Sequence, residues 1–136
     1  MLNSKGNNYL GKHAIAEFYE CNVNLLDNVD KIEELLTNAA IECGATIVEK
    51  CFHRFNPYGV SGVVIIAESH ISIHTWPEYG YAAVDLFTCG TSCNTKKAYD
   101  YLVNAFESKK YSYNELQRGL LDTNNKLKEE PFVIGV

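Results

Sequence analysis

The chain has 136 residues, 46% of them hydrophobic and 21% charged, a length and composition that suit one compact domain and leave little room for a second core. Its formal charge of -5 excludes the broad basic face that a nucleic-acid backbone or an anionic membrane surface requires. Five cysteines, Cys21, Cys43, Cys51, Cys89 and Cys93, are an odd number without an apolar leader before them, and the longest apolar run, Val63 to Ala67, is far too short for a bilayer. The expectation is a soluble protein of the reducing cytoplasm.

In chain order, His13 to Cys21 reads as a first strand. Asp27 or Asn28 then caps a helix whose apolar positions Val29, Ile32, Leu35, Leu36, Ala39, Ala40 and Cys43 recur at intervals of three and four, and Gly44 ends it. Thr46 to Phe55 and Val60 to Ala67 are rich in β-branched and aromatic residues and flank the turn formers Asn56-Pro57-Tyr58-Gly59, which predicts a hairpin. From His70 to Trp76 the alternation is strong, with His70, Ser72 and His74 on one side and Ile71, Ile73 and Thr75 on the other, until Pro77 stops the strand. Tyr81 to Thr88 is the next strand. A loop with Gly90 leads to a second helix from about Thr95 to Ser108, with Ala98, Leu102, Ala105 and Phe106 as its stripe. Tyr111 to Leu116 is predicted as a last strand, and Asp122 to Glu130 as a solvated tail.

Short links between strands favour antiparallel pairing. The fold class expected is α+β, a two-layer sandwich of one mostly antiparallel sheet with two helices on one face. The other face needs cover, and a second copy of the chain supplies it most simply, giving an α/β/β/α arrangement in the dimer.

Chemistry concentrates between Glu68 and Tyr81, in Glu68-Ser69-His70-Ile71-Ser72-Ile73-His74-Thr75-Trp76-Pro77-Glu78-Tyr79-Gly80-Tyr81. Hydroxyl, imidazole, carboxylate and aromatic groups crowd there more densely than a plain hairpin needs. Singly, each has a bland alternative: a strand histidine is often just exposed, Trp76 serves equally well as core, Ser61 as a strand-end serine, and Cys89 as an inert buried thiol.

Together these strings resemble the small bacterial and archaeal type of S-adenosylmethionine decarboxylase proenzyme. The resemblance runs from about Gly11 to Gly90 and rests on Ala16-Glu17-Phe18-Tyr19-Glu20-Cys21, Gly44-Ala45-Thr46-Ile47-Val48, Phe52-His53-Arg54-Phe55, Pro57-Tyr58-Gly59-Val60-Ser61-Gly62-Val63-Val64, and Glu68-Ser69-His70 through Cys89-Gly90. It implies that the chain splits itself between Glu68 and Ser69 into residues 1–68 and 69–136, and that Ser69 becomes a pyruvoyl group. Only a residue with a β-oxygen or β-sulfur can follow that route, which Ser69 satisfies. It further implies His74 as the base of the processing step, Ser61 as its assistant, and Cys89 as the proton donor of decarboxylation. The pyruvoyl ketone would form a Schiff base with the substrate amine and act as electron sink. Phe55 would stack on adenine, Glu78 would hold the ribose hydroxyls, and Trp76 would add a wall. The implied active unit is a homodimer in which Ser69 and Cys89 of one copy meet Phe55, Ser61, His74 and Glu78 of the other, in the service of spermidine synthesis.

Three rivals are weighed beside it. A pyruvoyl decarboxylase of ornithine or arginine would keep the processing chemistry, but it has no adenine or ribose for Phe55 and Glu78 to bind. His70, His74, Cys89 and Cys93 make a two-histidine, two-cysteine set whose order is poor for a zinc finger, so no metal is expected. A non-cleaving paralogue finds no support, because Ser69, His74 and Cys89 are all present.

Overall fold

A computed structural model describes residues 9–90 and 93–129; the polar start, Thr91 and Ser92 of the Gly90 loop, and the chain from Glu130 lie outside the described residues. Six strands, β1 (Tyr9–Tyr19), β2 (Ile47–Arg54), β3 (Val60–Ile66), β4 (Ser69–Trp76), β5 (Tyr81–Cys89) and β6 (Lys110–Leu120), form one sheet in the order β2-β3-β4-β5-β1-β6. Every neighbouring pair is antiparallel. Helices α1 (Val23–Leu26), α2 (Val29–Glu42) and α3 (Thr95–Ala105) complete the fold. The buried stripes of α2 (Ile32, Leu35, Leu36, Ala39, Ala40) and α3 (Ala98, Tyr99, Leu102) pack in one core with Ala14, Ala16, Phe18, Ile71, Ile73, Val84 and Leu86 of the sheet. The architecture is the expected two-layer α+β sandwich.

The local reasons are those read from the sequence, with corrections at the ends. Asn28 caps α2 by accepting the Lys31 N–H at 3.0 Å, and Cys43 with Gly44, at φ 83°, ends it. Asp27 is no cap for α2. Asn22 nucleates the unforeseen turn α1 by accepting from the Asn24 and Leu25 amides, which leaves the Asp27 carboxylate free to accept from Gly59 N at 2.9 Å and to pair with Arg54 at 2.8 Å.

The first strand begins at Tyr9 rather than His13, and the last runs to Leu120 rather than Leu116. The two pair continuously from Tyr9–Leu120 to Tyr19–Lys110. At the sheet edge β6 is mostly exposed on both faces, so its own sequence carries no alternation and its length comes from the β1 ladder. The second helix stops at Ala105, short of Ser108, whose hydroxyl lies 2.8 and 3.0 Å from the Tyr19 and Lys110 carbonyl oxygens. The tail is exposed as expected but turns back on itself, since Leu121 bridges Leu127 and Lys128 N bonds the Leu120 carbonyl.

One buried hydroxyl ties three elements together. Thr75, 6% exposed on β4, accepts the Val60 N–H at 2.8 Å and donates to the Leu26 carbonyl at 2.8 Å. Thr75→Val removes both bonds from the interior and is expected to cost about 1–3 kcal/mol, read as a lower urea midpoint with unchanged slope, while Thr75→Ser keeps most of the stability. Beside it, Arg54 first and the Gly59 N–H second hold the Asp27 carboxyl below the ordinary carboxylate range. A group held lower in the folded state stabilises fully above its unfolded value, and that contribution is lost as pH falls through the folded value. Urea titrations should therefore show Asp27→Asn less stable than wild type at neutral pH, with the gap closing progressively below pH about 4.

Candidate active site

The alternation on β4 divides its side chains cleanly. Ile71 and Ile73 are wholly buried under the helices and Thr75 nearly so, whereas His74 and Trp76 are exposed and His70 and Ser72 half-buried on the open face. The residues named by the sequence then fall into two groups at opposite ends of this strand.

At the Trp76 end, Phe55, Ser61, His74, Trp76 and Glu78 line one cleft of about 270 Å³. Ser61 stands opposite His74 in the β3–β4 register, and Ser61 Oγ lies 2.7 Å from His74 Nδ1. The imidazole is thereby held by one nitrogen, and Nε2 has no hydrogen bond among the described residues. Phe55 lies just past β2, where its N–H donates to the Gly59 carbonyl at 2.8 Å, and its ring is 48% exposed. Two glycines shape this end: Gly59 takes φ 106°, and the Phe52 ring covers Gly62 so closely that any side chain there would strike it. Glu78 rides on the 3-10 turn Pro77–Tyr79, which Gly80 closes at φ 60°. Trp76 is 40% exposed, so the core reading of this tryptophan does not hold. It stacks on Tyr81 at 5.3 Å, which stacks on Tyr19 at 5.4 Å. Burial first, and then the hydrogen bond to Glu17, push the Tyr81 phenol up, so it remains a neutral donor at the foot of that stack.

At the other end, Ala67 and Glu68 make the turn between β3 and β4. The Glu68 carbonyl oxygen accepts the Cys89 N–H at 2.8 Å, and the Ala67 N–H donates to the Thr46 carbonyl at 2.8 Å. Thr46 N in turn donates to Glu68 Oε1 at 3.3 Å. Ser69 follows at φ 150°, a region that side chains other than glycine's rarely occupy, and stands opposite Thr88 in the β4–β5 register. The peptide bond between Glu68 and Ser69 thus has its carbonyl held by a fixed donor and its nitrogen on a strained residue. A β-hydroxyl follows immediately. The Cys43 thiol donates to the Ala40 carbonyl at 3.3 Å, and its proximity first, with burial second, pushes the Cys93 thiol up.

Within one chain the two groups do not meet. Ser69 and His74 are five positions apart on an extended strand, roughly 16 Å. Nor do the four candidate zinc ligands converge: His70 packs on Phe87 with ring centres 5.7 Å apart, His74 is with Ser61, and Cys93 is against Cys43. Among the described residues no cluster of three or more metal-ligating side chains forms.

Some of the groups gathered at these two ends carry no sequence signal. The Cys89 amide and Glu68 carbonyl are backbone groups. Tyr58, which lines the cleft and is 46% exposed, reads in the sequence only as a turn former; an aromatic ring in so short a turn is the clue that marks it.

The sequence matches the S-adenosylmethionine decarboxylase family over residues 12–119. An S-adenosylmethionine decarboxylase proenzyme of Thermosipho africanus is 59% identical over 113 residues, which is 83% of this chain and 87% of that one. One from Thermotoga petrophila is 53% identical over 127 residues, covering 93% and 98%. The crystal structure of the adenosylmethionine decarboxylase from Aquifex aeolicus matches the fold with a TM-score of 0.79 at 37% identity, over 85% of this chain and 96% of its own. Agreement of this extent in sequence and in fold shows that the chain belongs to the S-adenosylmethionine decarboxylase family of enzymes.

Proposed function

We propose that the chain cleaves itself between Glu68 and Ser69 and uses the resulting pyruvoyl group to decarboxylate S-adenosylmethionine, yielding the aminopropyl donor of spermidine synthesis. The observation that carries this reading is the 2.8 Å bond from the Cys89 N–H to the Glu68 carbonyl, on the peptide bond where Ser69 adopts φ 150°. A carbonyl fixed on a backbone donor is ready to bear negative charge, and the strained nitrogen beside it is the leaving group.

The chain's own residues can carry out the cleavage. Ser69 Oγ adds to the Glu68 carbonyl carbon while the Cys89 N–H takes up the charge on oxygen; the C–N bond breaks and the hydroxyl proton passes to the freed nitrogen. A base then removes the Ser69 Cα proton, and the ester oxygen departs as the carboxylate of residue 68. That elimination separates residues 1–68 from 69–136 and leaves a dehydroalanine at position 69, whose imine tautomer takes up one water and releases ammonia to leave the pyruvoyl ketone. His74 is the base of this reading, oriented through Nδ1 by Ser61.

Because His74 is roughly 16 Å along β4 from Ser69, it serves the Ser69 of a second copy. The homodimer proposed here joins the open sheet faces, so that Phe55, Ser61, His74 and Glu78 of one copy complete the Ser69 and Cys89 site of the other. Once formed, the pyruvoyl group supplies a ketone that engages the substrate amine and accepts the electrons released with CO2. Cys89 returns a proton to the substrate α-carbon. Phe55 and Trp76 offer aromatic faces to adenine and the sulfonium, and Glu78 offers a carboxylate to the ribose hydroxyls. Ornithine or arginine would leave those groups without partners. A cytoplasmic setting belongs to the same reading, and it accords with five cysteines that are all free thiols.

Intact-mass measurement of the purified wild-type chain should show two fragments, the C-terminal one with a blocked, carbonyl-reactive end. Ser69→Ala should give one uncut chain and no labelled CO2 from carboxyl-labelled S-adenosylmethionine; release at the wild-type rate, or turnover by the wild type of ornithine or arginine alone, defeats the proposal. Phe55→Ala, tested in the cleaved enzyme, should raise KM for S-adenosylmethionine by about tenfold or more through lost stacking. An unchanged KM would remove Phe55 from the substrate site.

A further inference from the structure

Among the described residues, two buried side-chain polar atoms have no hydrogen-bond partner, Glu68 Oε2 and Thr88 Oγ1. Both belong to the same junction, since Glu68 carries the carbonyl to be attacked and Thr88 pairs across the ladder with Ser69. Other hydroxyls in the interior are satisfied: Thr75 donates to the Leu26 carbonyl, and Thr95 and Tyr113 share a 2.7 Å bond. Thr88 is 1% exposed, and its hydroxyl sits there at an uncompensated desolvation cost that valine, of the same shape, would not carry. Such an orphan is explained when a second arrangement of the same site gives it a partner.

The neighbourhood supplies one. Cross-strand neighbours on one face have Cβ atoms about 5 Å apart, so rotation about the Ser69 Cα–Cβ bond brings its hydroxyl within hydrogen-bond reach of Thr88 Oγ1. Thr88 also precedes Cys89, whose N–H holds the Glu68 carbonyl, so one short segment of β5 addresses both the electrophile and the nucleophile.

We propose that Thr88 is a positioning residue for self-cleavage, its hydroxyl accepting the Ser69 O–H and turning the Ser69 oxygen onto the Glu68 carbonyl carbon. This rests on the cleavage reading above. In the step concerned, the bond from Ser69 Oγ to the Glu68 carbon forms, the Glu68 C–N bond breaks, and the Ser69 proton ends on its own nitrogen. Thr88 keeps its proton throughout. The two orphans flanking the bond, together with the strained Ser69 backbone, make the uncleaved junction a poor resting state.

The test follows cleavage of the full chain after cell-free synthesis, by intact mass against time, for wild type, Thr88→Val and Thr88→Ser, with and without hydroxylamine. Hydroxylamine cuts an ester but not an amide, and so reports how much of the acyl shift has occurred before elimination. Thr88→Val should cleave roughly tenfold to a hundredfold more slowly than wild type, hydroxylamine should not restore it, and Thr88→Ser should stay near the wild-type rate. In an uncleavable Ser69→Ala chain, Thr88→Val should not lower the melting temperature, which separates positioning from packing. Cleavage of Thr88→Val at the wild-type rate overturns the proposal. So does full rescue by hydroxylamine, which would move the hydroxyl's role to the elimination, or a Thr88→Ser slower than Thr88→Val, which would make the methyl group the part that matters. A wild-type chain that never splits defeats the cleavage reading itself, a result distinct from any of these.

Discussion

The hydrogen bond between the Cys89 N–H and the Glu68 carbonyl is the constraint on which the rest of the site depends, and it exists only because β4 and β5 are in one register. That register runs through eight pairs, from Ser69–Thr88 to Trp76–Tyr81. A slip of one residue would send His74 and Trp76 toward the helices and bring Ile71 and Ile73 out to solvent, exchanging faces along the whole strand. Burial of Ile71, Ile73, Val84 and Leu86 therefore fixes the position of a carbonyl oxygen that none of them touches. The core sets the geometry of the turn, and a single hydrogen bond there is worth little in stability compared with what it fixes in direction.

The same division of faces assigns the chemistry. Helices cover one side of the sheet, and the side left open carries Ser61, His70, Ser72, His74 and the stacked Trp76, Tyr81 and Tyr19. An antiparallel sheet can keep one face in water, and on this face aromatic rings and histidines sit among charged groups, with Glu17 accepting from Tyr81 and Asp85 paired with His13. The cleft group is anchored to the core through Thr75 and through the Asp27–Arg54 clamp on Gly59, so the loop bearing Phe55 is tied to the same framework as His74. The cleft end is thus held in fixed relation to β4, as the proposed two-copy site requires.

Much of this was legible in the amino-acid order. The strict alternation from His70 to Trp76 and the three-four spacing from Val29 to Cys43 report burial directly, because each is imposed by the core. What the sequence hid had other causes. β6 is an edge strand with little buried surface, so its extent is written in β1 rather than in its own residues. The turn α1 is too short for periodicity, and it drew Asp27 from the capping role its position suggested. The resemblance named Glu68, Ser69 and Cys89, but the bond joining them uses backbone atoms of the first and last, which no side-chain pattern reveals. Thr88 carries no signal in the sequence, because a threonine at the end of a strand is ordinary until its hydroxyl is found buried and without a hydrogen-bond partner.

In the proposed cleavage, strain at Ser69 gives that junction a thermodynamic direction. Converting an amide to an ester forfeits amide resonance, so an acyl shift at an ordinary serine runs uphill and stalls. A residue held at a positive φ outside the usual regions stores about 1–3 kcal/mol, and this cost ends once its nitrogen is released, because a residue at a chain terminus has no φ to hold. The surrounding sheet keeps Ser69 in that conformation through the β4–β5 ladder and the Thr46 contacts to Ala67 and Glu68. Stability built elsewhere in the core is thereby concentrated on one peptide bond, where it favours the acyl shift that the proposed function requires.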